Sequence, residues 1–266
     1  MIRIQASNFD LKQIADSGQC FRMKMTGENK AFVIAGGRPL EICDAGDGCF
    51  ELSCLDDEYH AFWRDYFDLD SDYEKYIKAA DPADEFLTKA AAFGQGIRIL
   101  RQEPFETLIS FIISQRKNIP AIQSSVEKLC RLCGERIDDD IYAFPVPRAV
   151  ASLSEKELSE CSLGYRVPYV REAARQIAFG EKDLEAMREL PDDRLFEELV
   201  SFLGVGKKVA NCVMLFAYHR IGAFPEDVWI KRIEDKYYGG AFPVDRYKGF
   251  AGVLQQYIFY YTREHI

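Results

Sequence analysis

The 266-residue chain contains no run of eighteen apolar residues, and its opening "MIRIQASNFDLKQIADSGQ" has no charged segment leading into an apolar one. Neither a membrane-spanning helix nor a secretory signal is supported, and a cytoplasmic protein is the expectation. Histidine is scarce, with only His60, His219 and His265. Of the eight cysteines, only Cys130 and Cys133 form a CxxC pair, inside the helical stretch "VEKLCRLCGER". A structural zinc site takes about four ligands, and an iron–sulfur cluster as many thiolates. No metal and no cofactor is therefore expected, and the cysteines read as reduced, mostly structural thiols. Internal repeats, low-complexity tracts and Gly/Ser linkers are also missing.

What is there describes an ordinary globular protein, 48% hydrophobic and long enough for one large or two to three small domains. The net charge of −9 looks unsuited to a nucleic-acid partner until it is located. Residues 40–86 hold fifteen Asp/Glu against three Lys/Arg, a balance of −12, so the remainder of the chain sums to +3. Because phosphate attraction depends on the patch that faces it, a DNA-binding face is compatible with this total.

The hydrophobic period divides the chain. Short alternating runs in "KAFVIAGGRPLEICDAGDGCFELSC", broken at Gly36-Gly37 and Asp47-Gly48, predict an antiparallel sheet over 30–54. Helical signals follow. Ser71-x-x-Glu74 and Ser154-x-x-Glu157 fit capping boxes, Pro104 suits a helix start, and Gly134, Gly180 and Gly204 suit helix ends. The expected fold is α+β, with an N-terminal antiparallel sheet domain (1–86) followed by a mainly helical region (87–266).

Within that region "DRLFEELVSF", "LGVG" and "KKVANCVMLFAYHR" read as helix, tight turn and helix, a helix–hairpin–helix at about 193–218. The amides of Gly204 and Gly206 and the second helix's N-terminus would converge on one place, which suits a phosphate. Such hairpins also occur without a ligand, so the pattern alone leaves DNA binding open. Consecutive lysines differ by about 100° around a helix. Lys208 shares a face with Cys212, one turn on, and is the candidate nucleophile; Lys207 points elsewhere, as a solvated phosphate contact would. Asp227, nineteen residues after Lys208, sits in "FPEDVW" just after a proline expected to begin the next helix. It could offset developing positive charge or move a proton, or it could simply favour a helix start.

Six blocks in order, "SGQCFR", "LRQEPFETLISFIIS", "LGYR", "GVGKKVANC", "FPEDV" and "GVLQQYIFYY", resemble the helix–hairpin–helix DNA glycosylase superfamily and, within it, the 8-oxoguanine DNA glycosylase/lyases. The resemblance spans nearly the whole chain. It implies a DNA cleft between two helical subdomains, duplex DNA with a damaged purine as partner, and a nucleotide flipped out of the stack. It also implies that Lys208 attacks C1′, expels the base and forms a Schiff base from which β-elimination nicks the strand, with Asp227 beside it. Gly18 matches the residue whose carbonyl meets N7, which is an acceptor in guanine but bears hydrogen in 8-oxoguanine. Phe259 and Gln255 match the aromatic that stacks on the flipped base and the glutamine that reads its edge, with Cys212 on the other ring face. The helix period supports this: Phe250, Leu254, Tyr257, Ile258 and Tyr261 form a core stripe, and Phe259 and Gln255 lie off it.

The chain also departs from that pattern. "SQRKNI" replaces the family's consecutive asparagines, so Arg116 is expected as the wedge that fills the space left by the base. Ala121 stands where an arginine reads the opposite cytosine, leaving Arg166 of "LGYR" for that duty and implying weaker discrimination for cytosine. Trp229 stands where eukaryotic members have a phosphate-contacting histidine and bacterial relatives often have Trp, and Leu203 replaces a proline at the hairpin. Two other readings are weighed: a monofunctional glycosylase for alkylated bases, a related family that lacks the hairpin lysine, and a non-catalytic DNA-binding module, which would need none of Lys208, Asp227, Cys212, Gln255 and Phe259. Endonuclease III-like enzymes carry C-terminal cluster cysteines that are absent here. A monomer is the default expectation, for want of a coiled-coil pattern.

Overall fold

The computed structural model describes residues 1–265. Five antiparallel strands form the N-terminal sheet: β1 (Ile2–Gln5), β2 (Met23–Met25), β3 (Lys30–Ala35), β4 (Arg38–Gly46) and β5 (Cys49–Leu52), in the order β1-β5-β4-β3-β2. Both expected hairpins are present. Gly36 and Gly37, and likewise Asp47 and Gly48, all have positive φ, the backbone a two-residue turn needs to match the strand twist. The periodic pattern in the sequence stops short of the outer strands β1 and β2, which are brief and are separated along the chain by the helix Leu11–Asp16, so that no hairpin signal marks them. It also misses the two-stranded ribbon Arg136–Asp138 with Ile141–Tyr142.

Helices make up the rest. The box at Ser154 forms in both directions, with the Ser154 side chain on the Glu157 amide and the Glu157 carboxylate on Ser154 N–H. The expected box at Ser71 does not form. The helix there starts at Glu74, whose amide is taken by Asp72, while the Ser71 hydroxyl donates to Asp68. Gly134 caps the helix Ile119–Cys133 as expected, and Gly180 and Gly204, both with positive φ, follow helix ends.

Two apolar cores result. One packs the sheet against the Leu11–Asp16 helix and Trp63, Tyr66 and Phe67. The larger one gathers the helices, and Tyr73, Tyr76 and Phe86 already belong to it. The two meet through polar groups that are almost fully buried. Arg98 donates to the carbonyls of Ser7, Asn8, Asp68 and Ser71. Asp68 accepts from Tyr73 (2.9 Å) and Arg101 (2.9 Å) and lies 3.3 Å from His219, just beyond the second hairpin helix. Burial opposes its ionisation, yet the bonds from His219, Arg101 and Tyr73 hold its carboxyl down at about 2.

Candidate active site

The helices Asp192–Val200 and Lys207–Phe216 flank a turn in which Gly204 adopts φ +80°, so the helix–hairpin–helix is built as the sequence indicates. A Cβ there would lie 2.4 Å from the Tyr169 ring, so glycine is required on two counts, backbone and space. No side chain caps the second helix at Gly206, which leaves first-turn amides available to an anion. Lys207 is exposed at this end, whereas Lys208 is half-buried, as their angular separation predicts. Leu203 is half-exposed on the turn.

Lys208 points its ammonium over the Phe111 ring, 5.0 Å from the centroid, and lies beside the Cys212 thiol. Burial pushes that thiol up, opposed by the lysine charge; it is a poor nucleophile and a good apolar wall. Across the cleft, Asp227 is the N-cap of the helix Val228–Tyr237. Its Oδ1 accepts the amides of Trp229 and Ile230, both at 2.9 Å. The helix therefore starts three residues later than Pro225 suggests. Pro225 instead offers its carbonyl to the Gln255 amide at 3.1 Å. The two readings of Asp227 are compatible, because a helix cap also fixes the carboxylate at the cleft wall.

Lys208, Asp227, Gly18, Phe259, Arg116 and Trp229 line one open cleft of about 1000 Å³. At its floor a recess of about 40 Å³ lies between Gly18, Cys212, Gln255 and Phe259. That is a shallow recess with room for a few water molecules. Gly18 has φ +74°, and a Cβ on it would stand 3.1 Å from the Phe259 ring. The turn is fixed from behind by Gln19, fully buried, whose amide group donates to the Arg98 carbonyl and accepts from the Leu100 amide, both at 2.8 Å. Sequence reasoning missed Gln19, whose partners lie about 80 residues away along the chain. The C-terminal helix Ala251–His265 holds Gln255 buried and Phe259 half-buried. It is covered on more sides than the expected stripe, since Gln256, Tyr260 and Thr262 are buried too.

Arg116 is exposed and holds φ +52° between the helix Pro104–Ser114 and the Asn118-capped helix Ile119–Cys133. The preceding Gln115, also not singled out by the sequence, donates from its side chain to the carbonyls of Gly204 (3.0 Å) and Ile112 (3.2 Å). It therefore ties the Arg116 turn to the hairpin. Arg166 lies behind this turn, buried, donating to the Gln115 and Leu163 carbonyls with its guanidinium over Tyr165. Arg166, Gly204, Gly206 and Lys207 are not among the residues that line the cleft itself. Ala121 is the third residue of its helix, its amide capped by Asn118. Among the described residues no cluster of three metal-ligating side chains occurs, and no helix is long and apolar enough to cross a membrane.

Residues 1–108 match the 8-oxoguanine DNA glycosylase N-terminal domain, and residues 109–241 match the HhH-GPD superfamily of base excision DNA repair proteins. The chain belongs to this superfamily. A crystal structure of the Clostridium acetobutylicum 8-oxoguanine glycosylase/lyase, in complex with double-stranded DNA containing cytosine opposite the lesion, is 35% identical. It superposes with a TM-score of 0.91 over 97% of this chain and 92% of that one. MBOgg1 in complex with a low-affinity DNA ligand gives 0.92 at 34% identity, over 98% and 95%. A probable N-glycosylase/DNA lyase of Methanothermobacter thermautotrophicus is 28% identical over 98% of this chain and 96% of its own. The 3-methyladenine DNA glycosylase of Archaeoglobus fulgidus shares the fold, with a TM-score of 0.78 at 20% identity.

Proposed function

We infer that this protein, acting as a monomer on duplex DNA, flips out and excises 8-oxoguanine and then nicks the strand. The observation that carries the reading is the convergence of Lys208, Asp227, Gly18 and Phe259, from four separate segments, on one cleft beside an anion-receptive hairpin. The free amine of Lys208 attacks C1′, and the bond from C1′ to the base breaks with its electron pair leaving on the base. The carboxylate of Asp227 offsets the positive charge that grows on the sugar. A proton then passes from the attached nitrogen to O4′, the C1′–O4′ bond breaks, and the opened sugar is left as an imine on Lys208. Removal of a proton from C2′ then expels the 3′-phosphate, which is the nick, and water releases the lysine.

Recognition rests on the Gly18 carbonyl meeting the N7 hydrogen of the lesion, with Phe259 and Cys212 on the two faces of the ring and Gln255 at its edge. The amines and amides of Lys207, Gly204 and Gly206 hold the backbone. Arg116 fills the space vacated in the duplex. Ala121 cannot hydrogen-bond a base, and Arg166 reaches an opposite base only by leaving the carbonyls of Gln115 and Leu163. Selectivity for cytosine opposite the lesion is accordingly weak.

Borohydride trapping on duplexes with 8-oxoguanine opposite each of the four bases tests the mechanism. The expected outcome is a covalent adduct with the wild-type protein and none with Lys208→Gln, since glutamine forms no imine. An adduct that survives Lys208→Gln would place the nucleophile elsewhere. Absence of any adduct would redirect the reading to alkylated bases or to binding alone.

A further inference from the structure

Resting on the functional reading above, we propose that Arg263 is a positioning residue of the base pocket, holding its two jaws in register. The jaws come from opposite ends of the chain: the Gly18 turn follows the Leu11–Asp16 helix, and Phe259 stands on the C-terminal helix. Arg263 is one turn beyond Phe259 on the same face, with its guanidinium 5.6 Å from the Phe259 ring centroid. The same guanidinium donates to the Asp16 carbonyl at 2.6 Å, across 247 residues of sequence. Among the described residues it is the one hydrogen bond between the C-terminal helix and the segment from Leu11 to Gly18.

The chemistry suits the place. Asp16 ends its helix, so its carbonyl carries the negative end of the helix dipole and lacks a partner further along. A guanidinium can supply that partner and still keep a face against an aromatic ring. Gln19 fixes the Gly18 turn from behind, against Arg98 and Leu100, and neither bond involves Phe259. Arg263 supplies the missing link in front. A carbonyl that must distinguish a hydrogen on N7 from a lone pair gains from a fixed distance to the ring that stacks on the same base, because hydrogen bonds weaken steeply with misalignment.

The test compares two steps on the same protein. Arg263→Met keeps most of the aliphatic stem and removes both the donor and the cation; Arg263→Lys restores a donor. Single-turnover base excision is measured on an 8-oxoguanine duplex, and strand nicking on a duplex with a preformed abasic site, which has no base to grip. Arg263→Met should slow excision about tenfold more than nicking, the size expected for losing one charge-assisted hydrogen bond. Arg263→Lys should recover most of that difference. Equal losses in the two assays would mean a purely structural role and overturn the proposal, as would no loss in either. A wild-type protein inactive on both duplexes would overturn the functional reading and this one with it.

Discussion

Arg116 holds a left-handed backbone, φ +52°, at an exposed position, which a non-glycine residue adopts only where its surroundings impose it. Gln115 on one side and the Asn118 cap on the other supply that constraint. The guanidinium is thus presented on a braced turn at the mouth of the cleft, as a wedge requires. Arg116→Asn preserves the backbone, since asparagine tolerates this region, and shortens the wedge. The expected result is a changed ranking of trapping efficiency across the four opposite bases, with abasic-site nicking less affected; an unchanged ranking would remove Arg116 from opposite-base selection. Lys208 belongs to the same scale. Its position above Phe111 and beside Cys212 follows from two angles on one helix, which is why helical geometry alone tells the two consecutive lysines apart.

Among the elements, the hairpin turn is the most sharply constrained. Gly204→Ala meets both a positive φ and the Tyr169 ring at 2.4 Å. A loss of about 1–3 kcal/mol of stability is expected in chemical denaturation, with weaker binding to undamaged duplex as well, because the turn aims the anion-receptive amides. This turn was legible in sequence because glycine punctuation is local. So was the capping box at Ser154, where four consecutive residues contain the whole interaction. The same pattern misled at Ser71, where Asp68 competes for the hydroxyl and Asp72 takes the amide. Contacts that no local rule encodes were not legible: Gln19 on Arg98 and Leu100, Gln115 on Gly204, and Arg263 on Asp16. Each joins segments whose proximity exists only after folding. The C-terminal helix was read in part, its core stripe correctly and its buried Gln256 and Thr262 not, because periodicity reports one packed face and this helix has several.

At the scale of the whole molecule, the polar junction around Asp68 ties the sheet unit to the helices that carry the site. Its carboxyl is held at about 2, below the ordinary 3.8, so folding gains from its ionised form. That gain is complete above the ordinary value and is lost as the pH falls towards about 2, and it amounts to ~2 kcal/mol. Asp68→Asn keeps the left-handed backbone at this position and removes the charge. Denaturation midpoints should fall by a corresponding amount at pH 7, and the difference from the wild type should shrink as the pH approaches 2. A constant difference across that range would assign the junction's strength to its neutral hydrogen bonds. Charge is segregated on the same scale: none of the acidic residues between 40 and 86 lines the cleft.

Asp227 binds two amides through a single oxygen, Oδ1. An asparagine would serve those amides equally well, since it is as good a helix cap as aspartate. Beyond the ~0.3–1 kcal/mol by which a helix N-terminus favours an anion, the fold therefore exerts little pressure of its own to keep the negative charge that the proposed chemistry uses. On the proposed chemistry, Asp227→Asn would give a stable protein that still grips damaged DNA without excising the base, and such a variant would occupy lesions against the active copies.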